Sequence, residues 1–436
     1  MKNANRIMAV VSGCALVMSA NWALAQDWPQ WRGPNRDAKA VGFKAPQSWP
    51  KELAQKWKVT VGNGVATPAL VGDKLYVFAR EGGSEVLRCL SAGDGKELWQ
   101  EKYDALPAEG PAGQFPGPRS SPTVVDGKVV TLGVRGVLSC FDAAAGKLLW
   151  RQDDFQGALP RFFSSSSPIV ADGLCVAQVG GPNNGGIVAY DLVTGNEKWK
   201  WTGDAPAYAS PVLMNAGGAR LVVAQTDTKI AALTLADGKL AWETPFAVQG
   251  RGYNAATPIV DGQTLIYCGS GRGATAVKLE KTGDAFAAKE LWKNPDNSVQ
   301  FNTPVLKNGF LFGLTAGNEF FCINTRDGKT AWMAPLTPPA AANPEGQPPA
   351  AGPGGGGRRG GGGMRGGGFG SIVDAGSVLL ALTPAAELIA FQPDDKKYTE
   401  LARIKVADKP THAYPVLSGN RVFVKDQDSV TLWTVQ

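Results

Sequence analysis

The sequence predicts an all-β fold: an eight-bladed β-propeller of four-stranded antiparallel blades, its ring closed by an N-terminal strand. Three observations carry that expectation. A turn-and-tryptophan motif recurs along the chain, a Ser/Thr-Pro mark precedes each unit, and the units repeat every 45 residues or so, roughly the period of a propeller blade. Composition agrees. With 55 Gly, 30 Pro and 13 Trp among 436 residues, and few long helical patterns, the chain reads as many short strands joined by tight turns.

The motif has the form small, apolar, Asp-x-x-x-Gly-Lys-x, apolar, Trp. Its first copy starts at Cys89 and holds Gly95, Lys96 and Trp99; the others end at Trp150, Trp199, Trp242, Trp292 and Trp332. In five of the six, a glycine stands four residues before the Trp (Gly95, Gly146, Gly195, Gly238 and Gly328). Each copy reads as a hairpin, with the glycine supplying the positive φ of the turn. The copy ending at Trp292 reads as stretched by a longer turn over residues 281–289. A Trp at the same place in each unit is expected to wedge between neighbouring blades.

The second mark is Ser/Thr-Pro followed by an apolar run, at Pro68, Pro122, Pro168, Pro211, Pro258 and Pro304. Tyr414-Pro415 is a variant, and Ser371 with Ile372 and Val373 takes its place once. Proline at the first position of a strand leaves the ladder intact. These marks open eight units near residues 66, 120, 166, 209, 256, 302, 370 and 413. The last lacks a fourth strand, and residues 55–61 read as that strand; closure of the ring removes exposed sheet edges.

Two segments stand outside the repeats. Residues 1–25 read as a secretory signal: Lys2 and Arg6 at the start, an apolar stretch, and Ala23-Leu24-Ala25 as a small-x-small cleavage site. Val11-Ser12-Gly13-Cys14 also resembles a lipobox that would lipidate Cys14 and anchor the protein to the outer membrane, although the apolar stretch runs on past it. The propeller then fills 26–436, and the protein is expected to be periplasmic or secreted. Residues 337–370, rich in Pro, Ala and Gly, read as a disordered insert between blades six and seven. Of the formal charge of +6, the leader contributes +2 and the insert, three Arg against Glu345, another +2. About +2 remains for the folded body, which is no footprint for a nucleic-acid binder.

Together, these marks resemble the PQQ-like β-propeller repeat family, which includes the quinoprotein alcohol dehydrogenases and BamB-like outer-membrane assembly factors. The resemblance runs from about Asp27 to Gln436, and its opening, Asp27-Trp28-Pro29-Gln30-Trp31-Arg32-Gly33-Pro34-Asn35-Arg36, is similar to that of many exported members. The repeat specifies fold rather than function. The resemblance to the dehydrogenases would imply PQQ packed on a disulfide between adjacent cysteines, a Ca²⁺ held by carboxylate and amide oxygens, and in some members a Cys-x-x-Cys-His haem site. The chain has no adjacent cysteines and no such haem motif, and its one histidine is His412. No cofactor is therefore expected, and the reading is a non-catalytic binding or scaffold propeller of the cell envelope; a divergent PQQ-dependent dehydrogenase using Ca²⁺ is the alternative. Cys89, Cys140 and Cys322 each lie ten residues before a repeat Trp, where Ala189 and Ala232 stand in other units, so they read as small core residues.

Binding residues are expected on one face of the ring. The Gly-Lys turns occupy the other face and are short and uniform. The loops leading into each first strand, and those joining second and third strands, are varied and rich in Arg, Tyr, Phe and Asn. From them come the candidates Arg119, Arg161, Phe162, Tyr208, Arg251, Tyr253, Asn254, Arg272, Asn302, His412 and Tyr414. The four arginines would together meet a small anionic ligand or a carboxylate-rich envelope protein.

Overall fold

The structure, a computed structural model, describes residues 27–155, 157–248, 252–283, 285–337 and 369–435. The leader and nearly all of the insert lie outside the described residues. Among the described residues no helix is long and apolar enough to cross a membrane.

Thirty-two strands among the described residues form eight four-stranded antiparallel sheets. Blade one comprises Ala69–Val71, Lys74–Glu81, Ser84–Ser91 and Glu97–Asp104. Blades two to seven open at Thr123, Ile169, Val212, Ile259, Val305 and Ser371. Blade eight combines Val416–Ser418, Arg421–Lys425 and Ser429–Thr434 with the N-terminal strand Ala54–Thr60, which pairs antiparallel with the last strand. The closure read from residues 55–61 is thus the closure found. In each blade the middle strands are buried on both faces, because every blade is packed between two others. Ser84–Ser91 is buried at all but its two ends, Glu85 and Arg88 included, whereas the outermost Glu97–Asp104 alternates.

The repeat Trp sits on the outermost strand opposite a small residue: Cys89 faces Trp99, Cys140 faces Trp150, Ala189 faces Trp199 and Cys322 faces Trp332. A register shift beside each pair swings the preceding residue outward, leaving Leu98 and Leu149 exposed. At five seams, the indole of one blade packs on the turn glycine of the next. A Cβ at Gly95 would lie 2.9 Å from Trp57, at Gly146 2.5 Å from Trp99, at Gly195 2.7 Å from Trp150 and at Gly328 2.8 Å from Trp292. The indole N–H donates across the same seam, from Trp150 to Leu192 O at 2.9 Å and from Trp199 to Leu235 O at 2.9 Å. The turn glycine thus answers two demands, a positive φ and the ring of the neighbouring blade.

Blade five departs from the sequence reading. Residues 281–289 are not one long turn: the strands Gly273–Thr282 and Ala285–Asn294 run ten residues each. Phe286 on this extended hairpin packs in the same apolar cluster as Trp242 of blade four, where no turn glycine is available.

The Ser/Thr-Pro mark has a structural role beyond opening a strand. The hydroxyl of one blade accepts from the backbone N–H at the equivalent position of the blade before it: Tyr414 N to Thr67 Oγ1 (2.9 Å), Thr67 N to Ser121 Oγ (3.1 Å) and Ser121 N to Ser167 Oγ (2.9 Å). The belt continues through Ser167 N to Ser210 Oγ (2.9 Å), Ser210 N to Thr257 Oγ1 (3.2 Å) and Thr257 N to Thr303 Oγ1 (2.9 Å).

The segment from Trp28 to Ala40 occupies the axis of the ring and touches every blade. Trp28 bridges to Leu70 of blade one, and Pro29 O accepts from Val124 N of blade two at 2.8 Å. Arg36 donates to Ser167 O (3.2 Å) and Pro168 O of blade three and to Pro211 O (2.9 Å) of blade four. Trp31 donates to Thr257 Oγ1 of blade five at 3.2 Å and meets the Tyr414 ring of blade eight edge-on at 4.8 Å. Arg32 donates to Pro304 O of blade six at 2.8 Å, and Ala38 and Ala40 pair with Asp374 of blade seven.

The Gly–Trp seam makes a controlled comparison possible. Gly146→Ala, at φ +74° against Trp99, should destabilise by about 2–4 kcal/mol from combined backbone strain and overpacking. Gly127→Ala, at φ +69° with open space around it, should cost only about 1 kcal/mol. Urea unfolding of the two variants checks the difference.

Candidate functional site

The varied loops bring a collar of rings to one mouth of the channel. Blades two to eight each supply one ring from the loop ahead of the innermost strand: Phe115, Phe162, Tyr208, Tyr253, Phe301, Phe369 and His412. They form a continuous chain. Centroids lie 4.6 Å apart for Phe115 and His412, 5.0 Å for His412 and Phe369, and 4.1 Å for the stacked Phe369 and Phe301. The chain goes on through Phe301 and Tyr253 (5.6 Å) to Phe162 (4.8 Å) and Tyr208 (5.4 Å). All seven are half-buried, each packed against ring neighbours and open on one side.

Polar contacts fix the loops. Arg119 clamps two of them, donating to Phe162 O from Nη1 and to Ala112 O and Phe115 O, both at 2.9 Å, from Nη2. The Phe162 N–H donates to the Tyr208 hydroxyl at 3.0 Å. Burial lowers the Arg119 guanidinium to about 10 and His412 to about 4. The His412 Nδ1 is buried with no partner among the described residues. The seven rings therefore carry no charge at neutral pH, while Arg119 beneath them stays cationic and Arg161 is exposed with its guanidinium 5.3 Å from the Phe162 ring centre.

Of the eleven candidates read from the sequence, Phe162, Tyr208, Tyr253 and His412 come together in the collar, with Arg161 beside it. Arg119 supports it from beneath. Arg272 stacks on Phe246 at 3.9 Å and donates to Phe246 O and to Asn254 Oδ1 (2.7 Å). Asn254 is buried, its amide spent on Thr226 O, Asp227 O and Phe246 O. Asn302 is buried and donates to Leu314 O at 2.7 Å. Tyr414 lies in the channel wall, buried beneath the mouth. Arg251 lies outside the described residues. Of the four arginines, Arg119 and Arg272 donate to carbonyl oxygens, as buried guanidinium groups take the nearest acceptors. The sequence reading missed Phe115, Phe301 and Phe369 as members of the collar; the signal available was one ring per lead-in loop.

The cysteines bear out the small-residue reading. The five described cysteines are buried and free, and among the described residues no three His, Cys, Asp or Glu side chains group as metal ligands.

Fold and site together define a PQQ-like β-propeller. The sequence profile of the family described as outer membrane protein assembly factor BamB matches residues 83–334, more than half of the chain, and the chain belongs to that family. The likeness is nevertheless divided. The chain is 28% identical over 189 residues to the quinohemoprotein alcohol dehydrogenase of Comamonas testosteroni, covering 42% of this chain and 26% of that one. It is 26% identical over 276 residues to BamB of Burkholderia pseudomallei, covering 60% and 65%. The chain thus spans about a quarter of the first relative and just under two thirds of the second. Among solved structures, BamB of Moraxella catarrhalis superposes with a TM-score of 0.59 at 14% identity, covering 88% of this chain and all of that one. The Comamonas enzyme gives 0.63 at 14%, covering 95% and 81%. At that identity the superpositions show the fold alone. An envelope location agrees with the leader-like N-terminus and the BamB relatives.

Because the chain has a single histidine, the collar can be read by one resonance. The His412 ring signal should titrate near pH 4 rather than 6.5, as followed by NMR. Lowering of this pKa by folding makes the unfolded chain take up the proton first, so this contribution to stability is lost as pH falls from about 6.5 towards 4. His412→Gln should remove that component of the pH dependence. A midpoint near 6.5 would mean that the imidazole is not packed in the collar.

Proposed function

We propose that this protein is a binding propeller of the cell envelope that engages a protein partner through the aromatic collar. The observation that carries the reading is the collar: seven rings, one from each of seven blades, uncharged and half-exposed on a single face. Aromatic side chains in a preformed, rigid array provide large contact area at little entropic cost, the composition of protein-binding hot spots. Kinship with BamB supports a partner in the envelope.

The dehydrogenase relatives favour a second reading, PQQ-dependent oxidation, and sequence likeness supports it at least as strongly. Here the mouth residues fit the cofactor poorly. PQQ carries three carboxylates, yet Arg119 and Arg272 already serve carbonyl oxygens, the cysteines are not adjacent, and the rings fill one another's faces. A quinoprotein built on this chain would need a cofactor site of a different composition from the one that the family resemblance implies.

Two measurements separate the readings. A photo-crosslinking residue at position 253 should give discrete adducts in envelope fractions of the producing cells, whereas the same residue at position 96, on the opposite face, should not. Tyr253→Ser with Phe301→Ser should abolish the adduct formed from a crosslinker at position 162 while leaving the melting temperature within a few degrees. Calorimetric titration with PQQ, with and without Ca²⁺, should show no saturable binding; one-to-one binding would overturn the proposal in favour of the dehydrogenase reading.

A further inference from the structure

We propose that the channel core holds a small inorganic anion of the chloride class, seated against Arg32 where the opening of blade seven meets the axis. The case begins with two guanidinium groups on the axial segment, Arg32 and Arg36, exposed by only 1% and 3%. Neither forms an ion pair among the described residues. Burying an unpaired charge costs several kcal/mol unless dipoles or a counter-ion offset it.

Arg36 has its offset. Its three nitrogens are taken up by Gln30 Oε1 at 2.9 Å and by the carbonyls of Ser167, Pro168 and Pro211. Arg32 does not. Its Nη2 donates to Pro304 O, while Nε and Nη1 are buried with no partner among the described residues. Asp37 acts on Arg32 only at a distance; its carboxylate accepts from the Lys39 N–H at 3.2 Å and lies 3.9 Å from the Lys39 ammonium.

The surroundings of Arg32 supply more donors. Its guanidinium lies 5.9 Å from the Tyr414 ring centre, between a blade-six carbonyl and a blade-eight side chain. Ser371 opens the blade between those two, and its Oγ is likewise buried without a partner. The Tyr414 hydroxyl spans the same gap with one long bond, 3.4 Å, to Thr303 O. Among the described residues, the hydroxyl belt that runs from blade eight round to blade six has no link at blade seven. The unfilled Nε and Nη1 of Arg32, an uncompensated positive charge, and the unfilled hydroxyl of Ser371 on the blade that the belt skips are therefore all buried. A water molecule would satisfy the donors but leave the charge, whereas a monovalent anion satisfies both. The enclosure by the axial segment and innermost strands argues for an ion without a bulky organic part.

The test uses the chain from Gln26 onward. Crystals grown in sodium bromide, measured at the bromine absorption edge, should show one anomalous peak at hydrogen-bonding distance from the Arg32 guanidinium. In solution, at constant ionic strength balanced with sulfate, the melting temperature should rise saturably with chloride or bromide. Arg32→Met should remove that rise. Should this variant fail to fold, Ser371→Ala and Tyr414→Phe, which retain the charge, should each weaken the apparent anion affinity about tenfold. An Arg32 site holding only water, or a halide response undiminished in all these variants, would overturn the proposal.

Discussion

The contact on which the ring depends is the indole of one blade lying on the turn glycine of the next. A blade of this size cannot bury both faces alone; its middle strands become core only when neighbours cover them. The Trp–Gly seam sets how neighbours meet, because the indole fills the space that a Cβ would need and its N–H ties the seam to a backbone carbonyl. Trp57 shows the reach of the device. It comes from the N-terminal strand, completes blade eight, and packs on Gly95 of blade one, so the same residue closes a blade and closes the ring. Where the seam lacks a glycine, the chain substitutes. Trp242 shares a core with Phe286 on the long hairpin of blade five, and Trp332 donates to Asp394 O of blade seven at 2.8 Å.

A second constraint acts at the axis. Eight innermost strands leave a channel, and a channel lined by strand-opening carbonyls and hydroxyls presents polar groups that need partners. The axial segment meets that need with long side chains rather than with a strand of its own. Arg36 gathers carbonyls from two blades, Trp31 reaches a hydroxyl of a third, and Trp28 continues the sheet of blade one by a single bridge. The belt of Ser and Thr hydroxyls holds the blades together around it. One end of the axis is thus closed by charged and aromatic groups of a single segment, and the other by rings drawn from seven separate loops.

These two closures differ in how far the sequence discloses them. The blades were legible because their markers recur: Gly four residues before Trp, Pro at the strand start, a small residue ten before the Trp. The roles of Cys89, Cys140 and Cys322 followed from their place in that register. The collar was only half legible, since its rings stand at no fixed distance from the strands they precede; Phe369 lies two residues before Ser371 and Phe115 eight before Thr123. Two of the arginines gain a structural role that the sequence does not disclose, because the carbonyl acceptors that hold Arg119 and Arg272 become available only on folding. Conversely, Arg32 and Arg36 lay in a stretch read as a family signature, and nothing local indicates that they point along the axis.

The functional question turns on the mouth because the fold is common to both kinds of relative. A quinone with three carboxylates needs unspent cations, and a Ca²⁺ beside it needs converging oxygens. Among the described residues of the collar, Arg119 is bonded to the loops that it holds, the one imidazole is held neutral by burial, and Arg161 stands exposed at the rim. What the collar offers is apolar area with a fixed shape, kept open by loops that are themselves clamped at Arg119 and at the Phe162–Tyr208 bond. Such a surface gains little from attracting charge at long range and much from excluding water at contact, which favours an apolar or aromatic side chain of a protein over a polyanionic cofactor. Exposed Arg161 at the rim adds the single charge that could orient such a partner without entering the dry centre.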